Sequence, residues 1–194
     1  MSITEPTPTT DLQAVNQMLR AIGEAPVSSL TADEGLDVPI AMETLAEISN
    51  AVQLEGWLFN TENDYPLPLN ISNEIVTPTN ALSVDFDWTT TGDTEPVVRG
   101  TRVYDRKNHT YTFTDALTAT IIFALPFEEL PESARYYVSY RATRKLLDTQ
   151  VGSRDLHKFT AEDEYRARAT FIEKHTDDLD LNMIRDTPEF SHLS

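Results

Sequence analysis

The chain contains no cysteine. That excludes disulfides, thiolate metal sites and cysteine nucleophiles, and it suits folding in a reducing cytosol. Basic residues are scarce in the first half. Residues 1–98 hold Arg20 alone against sixteen acids, whereas residues 99–194 hold fourteen bases against sixteen acids. With no base before Arg20, the start lacks the positive region of a signal peptide. A formal net charge of −17 repels duplex DNA over a screening length of about 10 Å, so sequence-specific DNA binding is not expected. Long hydrophobic runs are also missing. The strongest, Ala116 to Phe127, falls short of the roughly 20 residues that span a bilayer. The six glycines form no phosphate-cradling loop, and no two of the four histidines lie three to five residues apart as a zinc helix requires. No Gly-x-Ser-x-Gly elbow occurs. No catalytic, metal or cofactor site is therefore expected.

What is present is patterned. Residues 1–10 are rich in proline and threonine and read as a flexible N-terminus. Thr10 or Asp11 is placed to cap a helix in which Leu12, Val15, Leu19 and Ile22 form one apolar stripe up to Gly23. A second helix is expected from Asp37 to about Gly56, with Ala41, Leu45, Ile48 and Val52 on its buried side. The period then changes. Trp57–Phe59 reads as extended, the prolines of 65–70 forbid helix, and Leu82, Val84, Phe86 and Trp88 alternate as a strand. Val97–Tyr104 and Thr110–Thr114 read as a hairpin around Asp105–His109, and Thr118–Leu125 as a β-branched strand. Two helices follow, from Glu132 to Thr149 and from about Thr160, the second burying Tyr165, Ala169, Ile172 and Leu179. The expected fold class is α+β: a four-helix bundle formed by N- and C-terminal helical pairs (11–56 and 126–179), with a β-rich insertion domain (57–125) between them. Residues 180–194, with Leu181, Met183, Ile184 and Phe190, read as an extended C-terminal tail carrying apolar anchors.

Two sets of residues bear on function. Asp85 and Asp87 are two apart on the expected strand and so share a face, where a carboxylate pair could act on a glycosidic bond. Their face lies opposite Val84 and Phe86, which marks it as the solvent side. Glu128 and Glu129 precede a helix start and suit that place better than acid–base work. The helix after Pro131 carries more. Tyr136, Tyr140, Thr143 and Leu147 fall on one stripe, and Arg141, Arg144 and Lys145 share another arc. Two readings fit: a core seam beside a solvated basic face, or a subunit interface, since interfaces enrich Tyr and Arg. In the second reading the bases of one copy meet the acidic face of the next.

Four stretches also carry a resemblance: AVNQMLRAIGEAPVSSL at 14–30, VQLEGWLFNTE at 52–62, RVYD at 102–105, and the segment from Leu125 through LPESAR at 130–135 to Ser153. In this order they resemble the tail tubular protein A family of short-tailed bacteriophages, the head-to-tail adaptors. The resemblance implies a structural virion protein of the tail, folded and assembled in the host cytoplasm. It implies a homo-oligomeric ring of twelve subunits between the portal protein and the tail nozzle protein (tail tubular protein B), with room for tail fibres near the lower seam. Viral DNA would pass through such a ring without sequence-specific binding, and no membrane is involved. Tyr136, Tyr140, Arg141, Arg144 and Lys145 are then candidates for the subunit interface, and Leu181, Met183, Ile184 and Phe190 for portal docking. The competing expectations are a tail-associated glycan-degrading enzyme using Asp85, Asp87, Glu128 or Glu129, and a small cytoplasmic ligand-binding domain.

Overall fold

The computed structural model describes residues 7–31, 36–150 and 154–186. In chain order the elements are α1 (Asp11–Ile22), α2 (Asp37–Gln53), β1 (Thr61–Leu67), β2 (Ala81–Phe86), α3 (Trp88–Thr91), β3 (Pro96–Arg99), β4 (Arg102–Asp105), β5 (Leu117–Phe123), α4 (Glu132–Gln150) and α5 (Arg154–Asp186). A 3-10 turn at Phe127–Glu129 precedes α4. The class is α+β. The chain divides into a helical unit, made of residues up to Val52 and from Pro126 onward, and a β-rich unit, Gln53–Leu125. No described helix is long and apolar enough to cross a membrane.

In the helical unit, α1 begins where a side chain can satisfy its free N–H groups. Thr10 Oγ1 accepts from Gln13 N at 3.2 Å, and Thr10 N donates to Gln13 Oε1 at 3.1 Å, a reciprocal capping box. It stops at Gly23, where the N–H groups of Gly23 and Glu24 turn back to Arg20 O and Leu19 O. Ala14, Val15, Met18 and Leu19 are buried. The chain after α1 is fastened by one amide: Asn16 Nδ2 donates to Val27 O at 2.9 Å and Asn16 Oδ1 accepts from Val27 N at 2.7 Å. On α2, Val38, Ala41, Leu45, Ile48 and Val52 are buried, at the spacing of one helical face.

Helix α4 is the hub of this unit, packing chiefly against α5 and α1. Its first residue, Glu132, lies at the positive end of the helix dipole and accepts from Thr9 N and Thr9 Oγ1 at 2.8 and 2.6 Å. Arg135 Nη1 adds a bond to Thr9 O at 2.9 Å. The starts of α1 and α4 are thus stapled together. Helix α2 reaches α4 through an ion pair of Lys145 with Glu47 and a bond from Gln150 Nε2 to Asp37 Oδ1 at 3.4 Å.

Helix α5 departs from expectation in three ways. It starts at Arg154, not near Thr160, and it continues through Asp186, so residues 180–186 are helical where an extended tail was expected. No glycine or proline interrupts the sequence between Arg154 and Pro188, so nothing local ends the helix earlier. Its buried positions are Ala167 and Phe171, while Tyr165, Ile172 and Leu179 are exposed. The inner face was hidden from an apolar count because polar Glu164 and Arg168 share it with those two residues.

The β-rich unit holds a three-stranded antiparallel sheet in the order β1-β5-β2 and a separate two-stranded sheet of β3 and β4. The central strand β5 buries every second residue: Leu117, Ala119, Ile121 and Phe123. With Leu67, Ile75, Val103 and Phe113 these form the core of the unit. The expected hairpin around 105–109 is displaced. Pro96–Arg99 pairs with Arg102–Asp105, and the turn between them is Gly100-Thr101, with Gly100 at φ 65. A glycine with positive φ at the first of two turn positions matches the twist of a tight hairpin. Thr110 and Thr112 make only isolated bridges, to Asp105 and Glu74. Trp57–Phe59, expected to be extended, enters a turn at Leu58–Asn60.

That turn closes the unit. Gln53, fully buried, donates through Nε2 to Leu125 O at 3.1 Å and accepts at Oε1 from Leu125 N at 2.7 Å. Asn60, also buried, donates through Nδ2 to Gln53 O and Phe123 O, both at 2.9 Å, and accepts from Trp57 N at 2.9 Å. Gly56 lets the chain pass close to β5: a Cβ there would lie 3.0 Å from Ile122 Cδ1, and its φ is 77. Replacing Gln53 or Asn60 by alanine strands several buried backbone groups and leaves a void. Each substitution is expected to cost about 2–4 kcal/mol. Urea unfolding monitored by circular dichroism checks this, through a lower midpoint at an unchanged slope.

Candidate assembly surfaces

The aromatic and basic residues of α4 divide into inner and outer sets. Tyr136 is 44% exposed; Tyr140, one turn on, is half-buried. Their rings lie 4.6 Å apart at 56°. The Tyr140 phenol is pushed up to about 12 by its hydrogen bond with Tyr136, then by burial, and then by the charges of Tyr136 and Asp163. Tyr137, which the sequence reading did not single out, is the buried member. It stacks on Phe171 at 5.8 Å, and its hydroxyl accepts from Arg168 Nη1 at 2.7 Å and Arg141 Nη1 at 3.3 Å. The other two bases are engaged inside the helical unit: Arg144 pairs with Glu164 of α5, and Lys145 pairs with Glu47 of α2. Much of the charge on this arc is thus met by the same chain.

The outer face of α5 is different. Tyr165 is 74% exposed, Ile172 43% and Leu179 40%. They recur every seven residues, with Ala169 and Thr176 between them. This is the 4-3 spacing of a coiled-coil seam, and it fits a second helix laid along it. Leu181, Met183 and Ile184 fall in the last turns of α5; Phe190 lies outside the described residues, as does Gly152.

The four candidate carboxylates hold different places in the fold. Asp87 is not on β2. It caps α3, accepting from Thr89 N at 2.8 Å and Thr89 Oγ1 at 2.7 Å. Those bonds, the side-chain one foremost, hold its carboxyl below the ordinary range. Asp85 is exposed on β2, and among the described residues it is the only carboxylate lining the groove beside that strand. Glu128 and Glu129 are exposed in the 3-10 turn before α4, in the other unit of the chain. Asp105, at the end of β4, is buried. Burial alone would raise its carboxyl. Bonds from Glu95 N, the Asn108 side chain, Asn108 N and Lys107 N outweigh it and hold the group low, so this acid organises the 105–109 turn. Among the described residues no group of three or more acids or histidines could hold a metal ion.

The exposed apolar seam of α5 is a surface of the kind that a neighbouring molecule covers. The sequence profile of the family described as "Tail tubular protein" matches residues 12–181. The chain belongs to the tail tubular protein family. It is also similar to "Tail tubular protein A" of Klebsiella phage KP34, at 24% identity over 165 residues, covering 85% of this chain and 86% of that protein. This tail tubular protein is therefore a structural component of a phage tail, and it assembles with other virion proteins. The stretches that carry the family resemblance hold the fastenings of the fold: Asn16 in the first, Gln53, Gly56 and Asn60 in the second, Asp105 in the third, Glu132 and Arg135 in the fourth.

The tyrosine pair supplies a test of the α4 geometry. A phenol whose folded pKa is raised above its ordinary 10.0 contributes fully to stability below about pH 10 and loses that contribution as pH climbs toward 12. Titration followed by phenolate absorbance is expected to show one tyrosine ionising near 12. Tyr136→Phe is expected to bring that tyrosine back toward its ordinary value.

Proposed function

We propose that this tail tubular protein is a head-to-tail adaptor. Identical subunits form a ring that joins the portal protein above to the tail nozzle protein below, and its lumen is part of the DNA conduit. The observation that carries this reading is the exposed seam of Tyr165, Ile172 and Leu179 on α5. Apolar side chains at coiled-coil spacing on a charged helix are stable in the virion only when a neighbour covers them. The match to a protein named tail tubular protein A along 85% of the chain supports the place in the tail.

A ring requires heterologous contacts, in which one surface of a subunit meets a different surface of the next. We assign the seam of α5, together with Tyr136 and Tyr140 of α4, to one side of that contact. Arg141, Arg144 and Lys145 brace the helices that present it. Ring closure at twelve copies matches the resemblance. The net charge of −17 suits a conduit, because phosphates that meet few lysines or arginines are not held as they pass. The last turns of α5, with Leu181, Met183 and Ile184, are assigned to portal docking together with Phe190.

Electron microscopy of the purified chain mixed with its portal tests the reading. Rings seated on the portal are expected. Ile172→Glu is expected to leave the helical content intact and abolish the rings, since it places a charge in a seam that must dry. Truncation after residue 179 is expected to preserve the fold and weaken portal docking. A chain that stays monomeric beside portal rings, or one whose truncated form docks as well as the full one, would overturn the corresponding assignment.

A further inference from the structure

Among the described residues the sheet order β1-β5-β2 leaves two free edges, and the protein treats them differently. β1 is blunted. Its pairing is broken by an irregularity between Glu62 and Tyr65, Asp64 there has φ 52, and Pro66 and two acids stand in the strand. These are the devices by which natural sheets refuse another strand. β2 (Ala-Leu-Ser-Val-Asp-Phe) has no proline and one charge. Its irregularity is confined to its start, between Ala81 and Ser83, and it runs in register with β5 from Ser83 to Phe86. An open edge of this kind presents backbone N–H and C=O groups that match another extended chain.

A groove of about 540 Å³ runs along this edge. All six residues of β2 line it, one after another. A sheet face would contribute only every second residue, so the groove follows the strand's edge. Its other wall is Pro96, Val97 and Val98, and Trp88, 82% exposed, also borders it. The groove thus mixes polar lining (Thr77, Thr79, Ser83, Thr101) with the apolar wall of Pro96, Val97 and Val98, and has a hydrogen-bonding strand edge on one side.

Charge says what fits. Among the described residues the carboxylate of Asp85 makes no hydrogen bond or ion pair, and it is exposed at the groove. The bases of the β-rich unit are used elsewhere: Arg102 pairs with Glu74, Arg106 with Glu95 and Lys107 with Asp93, while Arg99 stacks 3.7 Å over Tyr104. The β-rich unit of a second copy would bring only bases already engaged in this way. We propose that, in the assembled tail, the edge of β2 is completed by an extended segment of a different tail protein, which brings a basic side chain to Asp85. This needs only that the chain is built into a tail. It stands or falls separately from the adaptor ring.

Hydrogen exchange on the full chain, free and in purified tails, tests the edge. The outward amides of Ser83–Phe86 are expected to exchange at least about tenfold more slowly in tails. Because the chain is free of cysteine, Ser83→Cys on one wall and Thr101→Cys on the other each create a unique thiol for a short crosslinker. Both are expected to capture a polypeptide other than this chain. Asp85→Lys is expected to melt like the parent protein and to enter tails several-fold less well, since it sets like charges against each other. Unchanged exchange in tails, a crosslink joining two copies of this chain, no crosslink from either thiol, or undiminished incorporation of Asp85→Lys would each overturn the proposal.

Discussion

One buried amide makes the insertion possible. Gln53 and Leu125 are 72 residues apart, yet the Gln53 side chain both donates to and accepts from the Leu125 backbone. The contact imitates one rung of a β-ladder with a side chain in place of a strand. It brings the entry and exit of the β-rich unit within a hydrogen bond of each other. A closed insert of this kind interrupts a helical unit without forcing its two halves apart. Asn60 reinforces the closure by bonding the backbone on both limbs. Neutral amides suit the position: each offers a donor and an acceptor, and neither demands the counter-charge that a buried acid or base would.

The same economy recurs elsewhere. Asn16 holds Val27, Glu132 holds Thr9, Asp87 opens α3 and Asp105 gathers the N–H groups of its own turn. Several acidic and amide side chains in this protein serve as partners for backbone N–H groups at the ends of elements and in turns. This use accounts for acids that could be mistaken for catalytic pairs. Asp87 is poorly suited to hold a proton, because its bonds stabilise the charged form.

Periodicity made the long elements legible. The stripes of α1 and α2, the cap at Thr10, the start of α4 at Glu132 and the β-branched strand β5 follow from apolar spacing and capping chemistry. Two kinds of feature were not legible. The first is any face built from mixed polarity. The inner side of α5 alternates Ala167 and Phe171 with Glu164 and Arg168, so the apolar count points to Tyr165 and Ile172 on the exposed flank beside it. The second is any turn set by one residue. Gly100 closes a hairpin inside a run of strand formers, and Asp87 ends β2 by capping, so that Trp88 stands in solvent instead of continuing the alternation. The surface around Tyr136 and Tyr140 was visible as a stripe. Tyr137, the residue that fixes it to α5, was not, because its importance lies in Arg141 and Arg168 converging on one hydroxyl.

The two helices joined by the short link after Gln150 differ greatly in length. At 1.5 Å per residue, the 33 residues of α5 extend about 50 Å and the 19 of α4 about 28 Å. From Ile172 to Leu179 no position is fully buried, a stretch of about 12 Å. A lone helix in water frays readily. Such a stretch gains stiffness when a neighbour braces it, so its straightness reports whether the subunit stands alone or in company.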